Sequence, residues 1–69
     1  MHAMKICIFE KGSRRILSSF RFSARSMKDA LNLQSEHWNQ HFVLSDRRVS
    51  KLYVQEPSRR WWPVGTIYS

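Results

Sequence analysis

The chain holds one cysteine, two glycines, two prolines and only five acidic residues in 69. A lone Cys7 excludes an internal disulfide, so packing must hold the fold, which fits a reducing, cytoplasmic setting better than a secreted one. The N-terminus Met1-His2-Ala3-Met4 has no long apolar run, which predicts neither a signal peptide nor a membrane span. Repeats, linkers and low-complexity segments are also missing. One domain over residues 1–69 is therefore expected, with 1–3 a disordered extension and Met4 the functional start. Folding at this length buries only ~60% of the unfolded chain's surface. So thin a core leaves no room for a deep catalytic cleft.

What the chain has in plenty is positive charge. Twelve Lys and Arg stand against five Asp and Glu, a net charge of +7 and a pI near 10.6. Such an excess bears on partners and solubility, not on fold. Nucleic acid, an anionic membrane surface or an acidic protein face would suit it, and a basic surface without a specific partner is the plain alternative. Apolar residues at 42% and aromatics at 13% suffice for a real core and argue against disorder.

Residues 4–9, Met-Lys-Ile-Cys-Ile-Phe, alternate and carry β-formers, which predicts a first strand. Lys11-Gly12-Ser13 supplies a turn in which Gly12 is free to take a positive φ. Residues 15–23 predict a second strand, with Phe20 and Phe22 on one face and Arg21 on the other. Ser26-Met27-Lys28-Asp29 reads as a capping box, Ser26 being the N-cap. Met27, Ala30, Leu31 and Trp38, with Leu33 beside them, recur near helical spacing and predict a helix at about 26–40. Lys28, Asn32, Ser35 and Asn39 form its polar face, which lacks the basic moment of a membrane-surface helix. Val43 to Asp46 is a connection. Residues 49–55 alternate as a third strand, Glu56-Pro57-Ser58 turns, and residues 61–68 form a fourth that Pro63 confines to a sheet edge. The order makes a small two-layer ββαββ domain of the α+β class, one helix packed on a mainly antiparallel sheet.

Six of the eight arginines come as adjacent pairs, Arg14-Arg15, Arg47-Arg48 and Arg59-Arg60, all in turns or at strand starts. A right-handed crossover from the second strand to the third would gather the first two pairs at one end of the sheet and leave the last at the other. The solvent face would then hold Arg21, Lys51 and Tyr53 with either Trp61 or Trp62, the other indole going to the core. Aromatic faces of this kind stack bases while guanidinium groups neutralise phosphates. Solvated turn arginines are the plain reading of the same pairs, and the sheet-borne aromatic signature of RNA-recognition domains is missing.

His37 and His41 are four apart and could share a helix face, but no third ligand stands at a set spacing, so no metal or other cofactor is expected. Acid–base cleavage of RNA by His37, His41 and Glu36 is the enzymatic alternative; no nucleophile is paired with a base to support it. Cys7 reads as a small buried apolar residue.

Phe20-x-Phe22-x-Ala24-x-Ser26-x-x-Asp29-Ala30-Leu31-x-Leu33, followed by Trp38, resembles the strand-to-helix segment of small phage-encoded inhibitors of host RNA polymerase, and of other small phage proteins including some anti-CRISPR inhibitors. The resemblance spans about 20 residues. It implies a non-enzymatic protein that blocks a bacterial nucleoprotein machine by surface contact, with Lys51 alone at a place comparable to the basic contact strand. The tandem Trp-Trp-Pro and the Arg pairs depart from that pattern.

The expectation is therefore a non-catalytic phage or mobile-element inhibitor docking on a host nucleoprotein complex. Arg59, Arg60 and one of Trp61 and Trp62 would anchor it, and Arg14, Arg15, Arg47 and Arg48 would steer. Direct, sequence-tolerant DNA or RNA binding through the same residues is the alternative, and a toxin-like ribonuclease a third. The fourth strand could also pair edge to edge into a homodimer.

Overall fold

The structure, a computed structural model, describes residues 1–42 and 47–68, with the backbone alone at 41–42. The connection predicted at Val43 to Asp46 lies outside the described residues. Five elements follow one another: β1 (His2–Glu10), β2 (Ile16–Ala24), α1 (Met27–Phe42), β3 (Arg48–Gln55) and β4 (Trp61–Tyr68). One antiparallel sheet in the order β2-β1-β3-β4 carries the single helix on one side. The ββαββ, α+β domain predicted from alternation and capping is the fold. β1 begins earlier than alternation predicts, since His2 and Ala3 pair with Ala24 and Ser23. The body measures 34 × 22 × 15 Å. Its long axis runs with the strands, because nine residues at ~3.3 Å each extend ~30 Å.

Each element starts and stops for a local reason. Between β1 and β2 the Ser13 amide donates to the Glu10 carbonyl at 3.1 Å, with Gly12 at φ +80° in the third place of the turn. A type II turn requires such a residue there. Ser26 caps α1 as predicted, its Oγ accepting the Asp29 amide at 3.2 Å. Between β3 and β4 the Arg59 amide donates to the Glu56 carbonyl and the Glu56 amide to Arg60. Pro57 is the second residue of that turn, and the loop is a three-residue hairpin closed by a left-handed residue.

Register divides the sheet into two faces. Met4, Ile6 and Ile8 of β1 pair with Phe22, Phe20 and Ser18 on one flank and with Val54, Leu52 and Ser50 on the other. The apolar members of this row face the helix and with Ala24, Ala30 and Trp38 make the core, with Ile67 packed alongside, while Ser18 at its outer end is exposed. On α1, Ala30, Gln34 and Trp38 recur every four residues and are buried, while Lys28, Asn32, Ser35 and Asn39 are exposed. Ala30, with only a methyl group, lets the helix sit close on the strands.

The second half of the sheet is joined to α1 by a polar contact. Gln34 and Ser50 are both fully buried. The Gln34 side-chain amide donates to the Ser50 carbonyl and hydroxyl at 3.2 Å each, and to the Gly65 carbonyl at 3.4 Å. A Cβ on Gly65 would lie 2.9 Å from Leu31 Cδ2 and 3.0 Å from Gln34 Oε1. Leu31 is half exposed and can swing aside; Gln34 is held on three acceptors and cannot.

β4 is an edge strand, as Pro63 predicted. The Glu56–Arg60 bond makes that pair hydrogen-bonded, so by alternation Pro63, opposite Tyr53, turns its nitrogen away from β3. Between Tyr53–Pro63 and Leu52–Gly65 the register shifts, leaving Val64 as a bulge.

Two substitutions measure this packing. Gly65→Ala is expected to lower stability by ~1–3 kcal/mol through overpacking against Gln34. Gln34→Ala, which strips buried acceptors of their donor, is expected to cost a similar ~1–3 kcal/mol. Urea denaturation followed by circular dichroism checks both, and a loss below about 0.5 kcal/mol in either would contradict the clasp.

Candidate functional site

The sheet face away from the helix is built by the alternate residues: Lys5, Cys7 and Phe9 of β1, Arg21 of β2, Val49, Lys51 and Tyr53 of β3, and Trp61 of β4. Among the described strand residues on this face none is acidic. The described carboxylates lie elsewhere: Glu10 at the end of β1, Asp29 and Glu36 on α1, Glu56 in the turn.

Cations and rings interleave there. Lys5 Nζ stands 4.6 Å from the centre of the Trp61 indole and 5.3 Å from the Tyr53 ring. The Arg21 guanidinium lies 5.4 Å from the same indole, and Lys51 Nζ 5.6 Å from the Phe9 ring. Each such contact contributes ~0.5–1 kcal/mol at an exposed site, which offsets the mutual repulsion of cations with no carboxylate between them. Cys7 and Val49 are buried beneath the longer side chains although α1 is on the other side.

Arg21, Lys51 and Tyr53 thus share the open face as predicted, and the indole that joins them is Trp61. The expectation that the other indole fills the interior needs correction. Trp62 turns to the helix side opposite Val54, yet it remains 42% exposed with the Arg60 guanidinium 4.6 Å from its ring. The helix touches β4 at Gly65, three residues on, and so leaves Trp62 outside. The buried indole is Trp38 of α1.

The arginine pairs fall at the two ends of the sheet. Arg48 pairs with Glu10, and the Lys11 amide donates to the Arg47 carbonyl at 2.7 Å. Arg14-Arg15 and Arg47-Arg48 therefore meet at the end of the β1–β2 turn, with Arg59-Arg60 at the opposite end. Sequence reasoning missed Lys5 and Phe9 as members of the open face, although their alternation with Ile6 and Ile8 carried the signal.

Two arginines adopt backbone angles that favour glycine. Arg47 has φ 59° and Arg59 φ 67°. The left-handed conformation costs a side-chain-bearing residue ~1–2 kcal/mol. At Arg59 the strain is borne in the closing position of a hairpin loop where glycine is ordinary, with its carbonyl accepting from Gln55 Nε2 at 3.2 Å. An arginine held under strain in two places argues for the side chain itself.

On the covered side, His37 packs against Phe20 with ring centres 4.9 Å apart. The sheet separates it from Lys5, Arg21 and Lys51. The side chain of His41, its proposed metal partner, lies outside the described residues. Among the described residues no group of three or more His, Cys, Asp and Glu is placed to hold a metal, and no helix is long and apolar enough to cross a membrane.

Burial pushes the Cys7 thiol above its ordinary range, with Lys5 pulling the other way. Burial also raises Tyr53, and the neighbouring Cys7 adds to it. No protein-family model matches this chain, and no curated protein or solved structure matches it.

Two expectations follow from the strain and the buried thiol. Arg59→Gly relieves the backbone but adds freedom to the unfolded chain, so stability should stay level or rise by up to ~1 kcal/mol; a fall of that size in a urea titration would show that the Arg59 side chain holds the turn. Because the folded protein keeps the Cys7 and Tyr53 protons longer than the unfolded chain, stability is full below the unfolded thiol value of about 8.5 and declines as pH rises through the folded values. Cys7→Ala should flatten the first part of that decline in melts taken across the alkaline range.

Proposed function

We propose that this protein is a non-catalytic binding protein whose open sheet face takes single-stranded nucleic acid with little sequence preference. The observation that carries the reading is the carboxylate-free row of Lys5, Arg21 and Lys51 interleaved with Phe9, Tyr53 and Trp61. A base reaching Trp61 must displace Lys5 or Arg21 from the indole, at ~0.5–1 kcal/mol for an exposed cation–π contact. Stacking returns ~1–3 kcal/mol, and the released cation stays beside the phosphate it would neutralise. The exchange favours the nucleic acid. Duplex fits less well, because its bases are already stacked and a flat face reaches only its backbone.

A second reading rests on Trp62 and Arg60. An exposed indole under a guanidinium on an edge strand is the pairing that anchors protein interfaces. Together with the resemblance of the segment from Phe20 to Trp38 to small phage inhibitors, it supports a phage-type regulator that docks on a protein surface of a host nucleoprotein complex. Pro63 and the Val64 bulge blunt the outer edge of β4 against strand pairing, so this contact would be made through side chains.

Tryptophan fluorescence during titration with oligothymidylate, duplex DNA and RNA at several salt concentrations separates the two. The first reading expects quenching by single strands that vanishes in Trp61→Phe and persists in Trp62→Phe. The log–log salt slope should shrink by ~0.7 for each of Lys5, Arg21 and Lys51 replaced by a neutral residue. Absence of quenching at low salt would sink direct binding and leave the docking reading.

A further inference from the structure

At the end of the open face farthest from Trp61 lies a cavity of about 360 Å³. Phe9 and Val49 form its floor, Tyr68 and Lys51 its sides, and Lys11-Gly12-Ser13-Arg14 of the β1–β2 turn its rim. Register explains the assembly: Val49 pairs with both Phe9 and Tyr68, so three strands bring these side chains to one place. The volume lies within the ~300–1,000 Å³ of small-molecule sites. Two rings and three cations line it against one carboxylate, Glu10.

The rim is rigid. The Ser13 amide is held on Glu10, the Arg15 amide on Ser13 Oγ at 3.0 Å, and the Lys11 amide on the Arg47 carbonyl. Above Gly12 the space is open, with no atom within 4 Å of where a Cβ would stand, so a ligand can approach the turn backbone closely. Lys51 Nζ, over the Phe9 ring, stands where a flat group on that ring would join an anionic one at the rim.

We propose that this cavity is a nucleotide subsite. It takes one nucleoside monophosphate unit, the base against Phe9 and Tyr68 and the phosphate among Lys11, Arg14 and Lys51. Neither ring alone nor charge alone would fit the lining; a group that is flat at one end and doubly negative at the other fits both. The unit comes either from the phosphorylated end of a bound strand or from a free nucleotide. The strand source rests on the reading of the open face as a single-strand platform; the subsite itself does not.

The test is a nuclear magnetic resonance titration of the full chain with thymidine monophosphate, thymidine and inorganic phosphate. The monophosphate is expected to shift the amides of Gly12, Arg14, Lys51 and Tyr68 saturably, at least ten-fold more tightly than thymidine or phosphate. Arg14→Ala and Tyr68→Ala should each weaken it five-fold or more; both residues are exposed, so the fold is expected to survive, and the spectrum reports whether it does. No saturable shift at millimolar nucleotide overturns the subsite, as does equal binding of inorganic phosphate, which would mark a charged patch only. Short oligothymidylates then separate the sources. A ten-fold gain from a terminal phosphate, lost in Arg14→Ala, assigns the subsite to strand ends; indifference to that phosphate assigns it to free nucleotide. Loss of the subsite with Trp61 quenching intact would leave the proposed function standing, and the reverse result would leave the subsite alone.

Discussion

The Gln34 side chain is the constraint on which the rest of the molecule depends. On the β1–β2 half of the sheet α1 is held by ordinary apolar packing, Ala30 and Trp38 against Met4, Ile6, Phe20 and Phe22. On the β3–β4 half Leu52 and Val54 continue that apolar packing, but Ser50 faces the helix beside them, and a buried hydroxyl would be costly unpaired. Gln34 satisfies it and reaches the Gly65 carbonyl in the same step. The three residues act as a unit: an amide long enough to reach, a hydroxyl to receive it, and a glycine that lets the backbone come close. With α1 committed to one face, the other is free to collect charge.

That freedom has a thermodynamic cost. Three cations share a small surface without a carboxylate among them, and two turn arginines sit in left-handed backbone. Aromatic rings recover part of the electrostatic term, since Phe9, Tyr53 and Trp61 each lie within reach of an ammonium or guanidinium. A chain selected for stability alone would place glycine at Arg47 and Arg59 and a carboxylate beside Lys5. The uncompensated cations, at least, depart from the best-folding choice where binding is proposed.

Much of the fold was legible because its signals are local. Alternation gave the strands to within two residues, Ser26 and Asp29 marked the start of α1, and Pro63 marked an edge. Burial of Trp61 or Trp62 was not legible, because it depends on where along β4 the helix makes contact, and Gly65 decides that through a distance no pattern encodes. Gln34 was equally invisible: one polar residue on an otherwise apolar helical stripe reads as an interruption until Ser50 is seen opposite. Within the open face, the cation–aromatic interleaving could be foreseen only for residues whose neighbours were already placed. Arg21, Lys51 and Tyr53 met that condition, whereas Lys5 and Phe9 needed the pairing of β1 with both β2 and β3.

The arginine pairs at opposite tips of a body 34 Å long have a consequence for approach. At physiological ionic strength charges are screened over ~8 Å, so each tip feels a polyanion on its own. Two like poles on one rod turn its axis parallel to an extended strand but give it no head or tail in that field. For the proposed nucleic-acid partner, long-range attraction would therefore fix the line along which the protein settles and say nothing of the chemical polarity of the strand. Under the proposed single-strand binding, the two unlike aromatic ends, Trp61 at one tip and Tyr68 at the other, would be what tells the 5′ direction from the 3′, after contact.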